Sequence, residues 1–131
     1  MKEFELTSKM LTLSGVFYPR GHAVIMFPSE ADARKVAEDL GAAASEAMLI
    51  PPQTMLREIG KVDGDDDSAM PDVGTESATV MKYLVLARQG HHALMLHVDG
   101  DEEKERLMVA VRKTPFSYAQ LYHLLAMEDL T

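Results

Sequence analysis

The chain has 131 residues, no cysteine and a formal net charge of −8, which is the size and balance of a single globular domain. The missing cysteines exclude a disulfide framework, a thiol nucleophile and cysteine-ligated metals. The acidic charge disfavours nucleic acid and anionic membranes as partners, because both are bound through cationic contacts. No apolar run is long enough to span a membrane and the N-terminus lacks the basic start of a signal peptide, so we expect a cytoplasmic protein.

The first part of the chain, about residues 10–50, predicts a β-α-β unit preceded by an extra N-terminal strand. The strands are short apolar or β-branched runs closed by Gly or Pro. Ser29 is a suitable N-cap and Gly41 a suitable C-cap for the helix between them. The predicted elements are a strand over Leu11–Tyr18 with a bend or bulge at Gly15, a strand over Ala23–Phe27, a helix over Glu30–Leu40 and a strand over Met48–Ile50.

The middle of the chain, about residues 51–90, predicts a helical insert. Gln53–Ile59 and Thr75–Gln89 have apolar residues at helical spacing. Lys61–Gly74 between them is acidic and rich in Gly and Pro, which predicts a loop. The predicted inward stripe of the longer helix is Val80, Met81, Leu84 and Ala87 or Arg88.

The last part, about residues 91–131, predicts a second β-α-β unit. Ala93–Val98 is an apolar run of strand length. Asp99 is a candidate N-cap, with Glu102 at the third helical position, for a helix that runs to about Arg112. The final run, Ala119–Met127, suits a strand or a helix, and the parallel with the first unit favours a strand.

The two units are related by an internal repeat. His22 aligns with His92 at an offset of 70, and the apolar residues and helix-start signals that follow align as well. This pattern predicts an α+β fold, a ferredoxin-like sandwich of two β-α-β units with an inserted helical segment. We expect Ala23–Phe27 and Ala93–Val98 to lie side by side and parallel at the centre of the sheet.

These two strands are apolar on both sides. Alternation predicts Val24, Met26, Leu94, Leu96 and Val98 on one face, and Ala23, Ile25, Phe27, Ala93 and Met95 on the other. The helices of the two units can cover one face only. The other face needs the middle helices, the N-terminal strand or a second subunit, and a homodimer is the expected outcome.

Two segments, FPSEADARKVAEDLGAA and LMLHVDGDEEKERLMVAV, each combine a strand, a small or acidic cap and a helix of acids and aliphatic residues. In this respect the chain resembles the small ferredoxin-like domains of bacterial general-stress proteins. The resemblance covers the two units and not the middle. It implies a role in the stress response and carries no catalytic residue onto this chain.

Five polar residues are predicted to gather where the two central strands begin. With parallel strands, His22 and His92 lie at the same end of the sheet, near Tyr18, Arg20 and His91. They would form a basic cluster on an acidic protein, suited to a small anionic ligand. The alternative is that polar residues simply mark the starts of strands.

No cofactor, metal or catalytic residue is predicted. Phosphate-loop and serine-nucleophile motifs are absent from the sequence. The aspartates of the acidic loop have the first spacings of a calcium-binding EF-hand, but Ser68 and Gly74 replace the Gly and Glu that the motif requires.

These observations favour a non-enzymatic binding or regulatory domain, a stress accessory that acts as a homo-oligomer. One alternative is a cofactor-independent enzyme with a His/Arg/Tyr pocket at the sheet end. A second alternative is an RNA-binding module, which would need exposed aromatic residues on the central strands.

Overall fold

A computed structural model of the chain describes residues 1–60 and 75–131, so the predicted acidic loop Lys61–Gly74 lies outside the described residues. Six strands form one open sheet in the order β1-β3-β4-β2-β5-β6. The strands are β1 (Lys2–Glu3), β2 (His22–Phe27), β3 (Met48–Ile50), β4 (His92–His97), β5 (Tyr118–Tyr122) and β6 (Met127–Asp129). The predicted α+β class is confirmed.

In the part of the chain that the structure describes, four helices pack on this sheet. They are α1 (Glu30–Leu40), α2 (Pro52–Thr54), which continues as a π-helical turn over Met55–Ile59, α3 (Thr75–Arg88) and α4 (Gly100–Val111). Single turns of 3₁₀ helix occupy Ser8–Met10 and Gly41–Ala44.

The helix-start signals act as predicted in the first unit and differently in the second. Ser29 accepts a hydrogen bond from the backbone N–H of Asp32 at 3.3 Å, which satisfies a donor at the start of α1. The side chain of Asp99 makes no cap bond at α4. Instead Glu103, and not Glu102, accepts the backbone N–H of Asp99 at 2.8 Å.

The internal repeat corresponds to repeated structure. β2 and β4 begin at His22 and His92, and α1 and α4 begin at Glu30 and Gly100, so both elements repeat at an offset of 70. Each unit is split by a strand of the other: β4 lies between β2 and β3, and β2 lies between β4 and β5.

The central strands are neighbours, as predicted, but the parallel direction is wrong. They are antiparallel, with His22 opposite His97 and Phe27 opposite His92. The reason lies in the insert: Ile50 at the end of β3 pairs with Ala93 at the start of β4. The chain therefore enters β4 at the sheet end where it left β3, and β4 must run back.

Both faces of the sheet are covered by the chain itself. On one face α1 and α4 cover a core that contains Ile25, Phe27 and Leu94. On the other face α2, α3 and the N-terminal segment cover a core that contains Met26 and Met95. The expectation that both faces of the sheet are covered is confirmed. The prediction of which residues of β2 share a face with which residues of β4 is wrong, because the two strands pair antiparallel. Val24 and Met26 share their face with Ala93 and Met95.

The predicted N-terminal strand over Leu11–Tyr18 is wrong. This segment forms a turn closed by one bridge between Leu11 and Phe17, with Gly15 at a φ of 89° as the predicted bend. Its aromatic residues, Phe17 and Tyr18, are buried against the second core and do not extend a sheet edge.

Two further expectations are corrected in detail. Ala119–Met127 is a strand, as favoured, only in its first four residues, which belong to β5; a turn follows, and Met127 begins β6. On α3, Met81 is 51% exposed, whereas Val80 and Leu84 are buried and Tyr83 takes an inward position.

Candidate functional site

The structure does not bring the five predicted site residues together. Tyr18, Arg20 and His22 lie at the end of the sheet where β2 begins and β4 and β5 finish, here named the His22 end. His91 and His92 lie at the opposite end, where β4 begins. The antiparallel pairing of β2 and β4 causes this separation.

Gly21 ties the strands together at the His22 end. Its N–H donates to the carbonyl oxygen of Tyr122 at 2.8 Å, and its carbonyl oxygen accepts the N–H of Val98 at 2.9 Å. The φ of Gly21 is 78°, a conformation that favours glycine. The starts and ends of three strands are thereby fixed relative to one another.

His97 takes the position beside His22 that the sequence interpretation gave to His92. The two rings meet edge to face, with centroids 5.5 Å apart. His22 Nδ1 donates to the carbonyl oxygen of Arg20 at 3.0 Å, because a carbonyl can only accept. This bond leaves Nε2 of His22 as the ring atom available for other contacts. An antiparallel alignment of the repeat would have found His97.

Tyr18 and Arg20 support this end of the sheet from the N-terminal segment. The hydroxyl of buried Tyr18 donates to the carbonyl oxygen of His123 at 2.8 Å. Burial, with a smaller effect of Glu76, raises the pKa of Tyr18. The Arg20 guanidinium lies 5.5 Å from the centre of the Tyr18 ring, a cation–π distance. Tyr18 is therefore a structural contact here.

A cleft of about 100 Å³ opens beside His97 between the end of β4, the start of α4 and the end of α1. The equivalent position in the first unit is Phe27, which is fully buried. Its lining is mixed. Leu40, Ala43, Leu96, Val98 and Leu107 are its apolar residues, and His97, Glu103 and Arg106 its polar ones.

The turn between β5 and β6 lies at the same end of the sheet. The N–H of His123 donates to the carbonyl oxygen of Ala126 at 2.9 Å, which closes a turn with Leu124 and Leu125 at its centre. These two side chains are 70% and 90% exposed. We name them the leucine tip. Sequence reasoning missed the tip because the run AQLYHLLAM contains no turn-forming residue.

An ion-pair chain holds this hairpin to α4. Glu128 contacts Lys104 Nζ at 2.9 Å and His123 Nε2 at 2.8 Å. These hydrogen bonds, that of Lys104 first, lower the pKa of the Glu128 carboxyl. The hairpin is thus fixed on one side while its leucine tip remains exposed.

At the opposite end, His91 makes structural contacts, whereas Nδ1 of His92 is buried with no hydrogen-bond partner among the described residues. The Ser117 hydroxyl donates to the carbonyl oxygen of Met26 at 3.2 Å and accepts from His91 Nδ1 at 2.8 Å. This serine proton is directed at a backbone carbonyl and not at a base, so the pair is not arranged as an activated nucleophile. His92 Nε2 lies 3.8 Å from Glu30.

A buried tyrosine pair lies in the core between the sheet and α3. The hydroxyls of Tyr83 and Tyr122 are 2.6 Å apart and satisfy each other. Burial raises the pKa of both side chains. Phe17 packs edge-on against both rings.

Within residues 1–60 and 75–131, no group of three or more His, Asp or Glu side chains is placed to hold a metal ion. No helix in the described part of the chain has the length and apolar character to cross a bilayer. A scan against family models and searches of curated proteins and solved structures find no match to the chain. The resemblance to general-stress proteins therefore stays a prediction.

Proposed function

We propose that this domain is a non-enzymatic binding or regulatory module that acts as a homo-oligomer. The observation that carries the proposal is the exposure of large apolar side chains at a hairpin turn, with Leu124 and Leu125 at 70% and 90%. Such residues at a turn, where Gly, Asn or Asp would serve folding, supply apolar surface for contact with another protein. A cytoplasmic stress-response accessory in bacteria fits this role.

The roles of the buried polar groups support a binding function. The tyrosine hydroxyls pair with each other, and Ser117 is held between His91 and the Met26 carbonyl. Each of these groups stabilises the fold through its own hydrogen bonds. Among the described residues, the buried side-chain atom without a hydrogen-bond partner is Nδ1 of His92.

We also propose that the fold is ferredoxin-like. Two β-α-β units, each split by a strand of the other, support this assignment. The helical insert over α2 and α3 is the departure, since it covers the face that the fold type leaves open. Because the chain covers this face itself, an uncovered sheet face is no longer a reason to expect a homodimer. We therefore expect the contact between subunits at the His22 end.

A cofactor-independent enzyme is the alternative function. The His22–His97 pair favours it, because imidazoles can transfer protons to a small anionic substrate. A closed pocket lined by His22 or His92 would have strengthened it. The cleft beside His97 is small and open, so the binding module is preferred.

The RNA-binding alternative has less support. Recognition of the RRM type stacks bases on aromatic residues exposed on the sheet. Phe27, the aromatic residue of the central strands, is fully buried, and helices cover both faces.

The test of the proposed function is the molar mass in solution. Size-exclusion chromatography with light scattering, on the full chain at micromolar concentration, should give at least twice the mass of 14.5 kDa. A monomer throughout a dilution series would overturn the homo-oligomer. A catalytic turnover lost in His97→Ala, with the mass unchanged, would favour the enzyme.

A further inference from the structure

The His22 end of the sheet carries two imidazoles on neighbouring strands. His22 begins β2 and His97 ends β4, and the two residues lie directly opposite each other. Their ring centres are 5.5 Å apart. His97 is exposed and His22 is half-buried, so an ion from solvent can reach both side chains.

The separation of the two rings matches that of two imidazoles on one metal ion. A metal–nitrogen bond of about 2.0–2.1 Å puts the ion roughly 3.2 Å from the centre of an imidazole ring. Two rings that bind one ion at a tetrahedral angle therefore have centres about 5.2 Å apart. The observed separation of 5.5 Å is close to this value, so rotation of the rings brings both to one ion without movement of the strands.

His22 has the hydrogen bond that a metal-binding histidine needs. Its Nδ1 donates to the carbonyl oxygen of Arg20 at 3.0 Å, which places the ring proton on Nδ1 and leaves the lone pair of Nε2 free. Histidines that bind metals commonly donate their other ring N–H to a backbone carbonyl, because this bond fixes the tautomer and the orientation of the ring.

The surroundings of His97 leave its ring free to take part. A Cβ at Gly21 would lie 3.5 Å from Nε2 and Cδ2 of His97, and the glycine places no side chain against that edge of the ring. In the described part of the chain, the histidines with a carboxylate within 4.0 Å are His92 and His123. A metal ion bound by His22 and His97 would therefore displace no ion pair.

The internal repeat makes the two ends of the sheet different. At the offset of 70, His22 is equivalent to His92 and Phe27 is equivalent to His97. The same strand pairing that places His22 opposite His97 places His92 opposite Phe27. Two imidazoles can share an ion, whereas a phenylalanine ring supplies no ligand atom, so the other end of the sheet is a built-in control.

We propose that His22 and His97 together bind one divalent transition-metal ion of the Zn²⁺, Ni²⁺ or Cu²⁺ class. Imidazole suits these ions, whereas Mg²⁺ and Ca²⁺ prefer oxygen ligands. Structural zinc sites have four protein ligands and catalytic sites three, so two ligands form an open site with an exchangeable ion and water in the other positions. The net charge of −8 favours a cation. The site lies within one chain and does not depend on the proposed homo-oligomer.

The test is isothermal titration calorimetry with ZnCl₂ on the full chain without an affinity tag, which should show one saturable site per chain. His22→Gln and His97→Gln each remove one imidazole and should raise the dissociation constant at least about 10-fold. His92→Gln, the equivalent change at the other end of the sheet, should leave it unchanged. Circular dichroism checks the fold. If His97→Gln fails to fold, His97→Phe replaces it and reproduces the pairing of Phe27 with His92.

NMR of the imidazole nitrogens identifies the ligands in the unchanged chain. Zn²⁺ should shift Nε2 of His22 and one ring nitrogen of His97 together, up to one equivalent, with the nitrogens of His91 and His92 unmoved. A lack of saturable Zn²⁺ binding would overturn the site. Binding that persists at full strength in both glutamine variants would also overturn it, since the ion would then lie on other groups of the chain.

Discussion

His22 lies opposite His97, and their rings meet edge to face with centroids 5.5 Å apart. The residue equivalent to His22 in the repeat is His92, which instead lies opposite Phe27 at the other end of the sheet. Equivalent residues of the two units thus occupy opposite ends, as a local two-fold relation between antiparallel strands requires. This arrangement places a histidine pair, a cleft and an exposed apolar turn at the same end of the sheet, the His22 end.

The buried tyrosine pair should be a large local contribution to stability. In Tyr83→Phe the hydroxyl of Tyr122 loses its partner in a fully buried position, so the free energy of unfolding should fall by about 1–3 kcal/mol. Tyr118→Phe, in the same cluster, should change it far less. Urea denaturation measures both. Equal losses in the two variants would mean that the hydroxyl pair has no special role.

Alkaline pH should unfold the protein through the same pair. Burial raises the pKa of Tyr83 and of Tyr122 above the usual value of 10.0. The unfolded chain therefore releases these protons first, so the stability they contribute is complete below pH about 10 and is lost as pH rises through the folded-state pKa. Tyrosinate absorbance should rise in a cooperative step that coincides with loss of circular dichroism. Ionisation of all four tyrosines before unfolding would contradict this.

The pattern of the sequence predicted the elements far better than their directions. The bounds of α1 and β3 follow from Ser29, Gly41 and the closing prolines, since caps and breakers act locally. The direction of β4 could not be read, because a strand has the same alternation whichever way it runs. It is decided by where Ile50 and Ala93 meet, which depends on the packing of the insert.

The candidate site was only half predictable for the same reason. Tyr18, Arg20 and His22 precede or begin β2, so their common position needed no pairing direction. His97 and the leucine tip became neighbours of this group through β4 and β5. The segment Leu11–Tyr18 also has the composition of a strand, but it packs as a loop with Phe17 buried in the core.

The two helix starts should respond differently to loss of their cap residues. Ser29→Ala removes the acceptor for the Asp32 N–H and should lower the free energy of unfolding by about 1 kcal/mol. Asp99→Ala should have a smaller effect, because the Asp99 side chain makes no cap bond. Thermal denaturation of both variants gives the comparison. A larger loss in Asp99→Ala would show that the capping roles are reversed.

Gly21 should tolerate substitution poorly although space is available. A Cβ there would lie 3.5 Å from the His97 ring, an ordinary contact, but the φ of 78° disfavours any other residue. Gly21→Ala should therefore destabilise the fold by about 1–2 kcal/mol. Gly60→Ala is the control, because Gly60 has a helical φ of −62° and should be neutral or stabilising. Equal effects of the two variants would rule out strain as the cause.

Association at the His22 end can be observed directly by methyl NMR of leucine-labelled protein over a dilution series. We predict concentration-dependent shifts in the methyl groups of the exposed Leu124 and Leu125, with the methyl groups of buried Leu84 unmoved. Spectra that are unchanged at these two leucines, while the molar mass still doubles, would contradict the account and move the interface elsewhere on the protein.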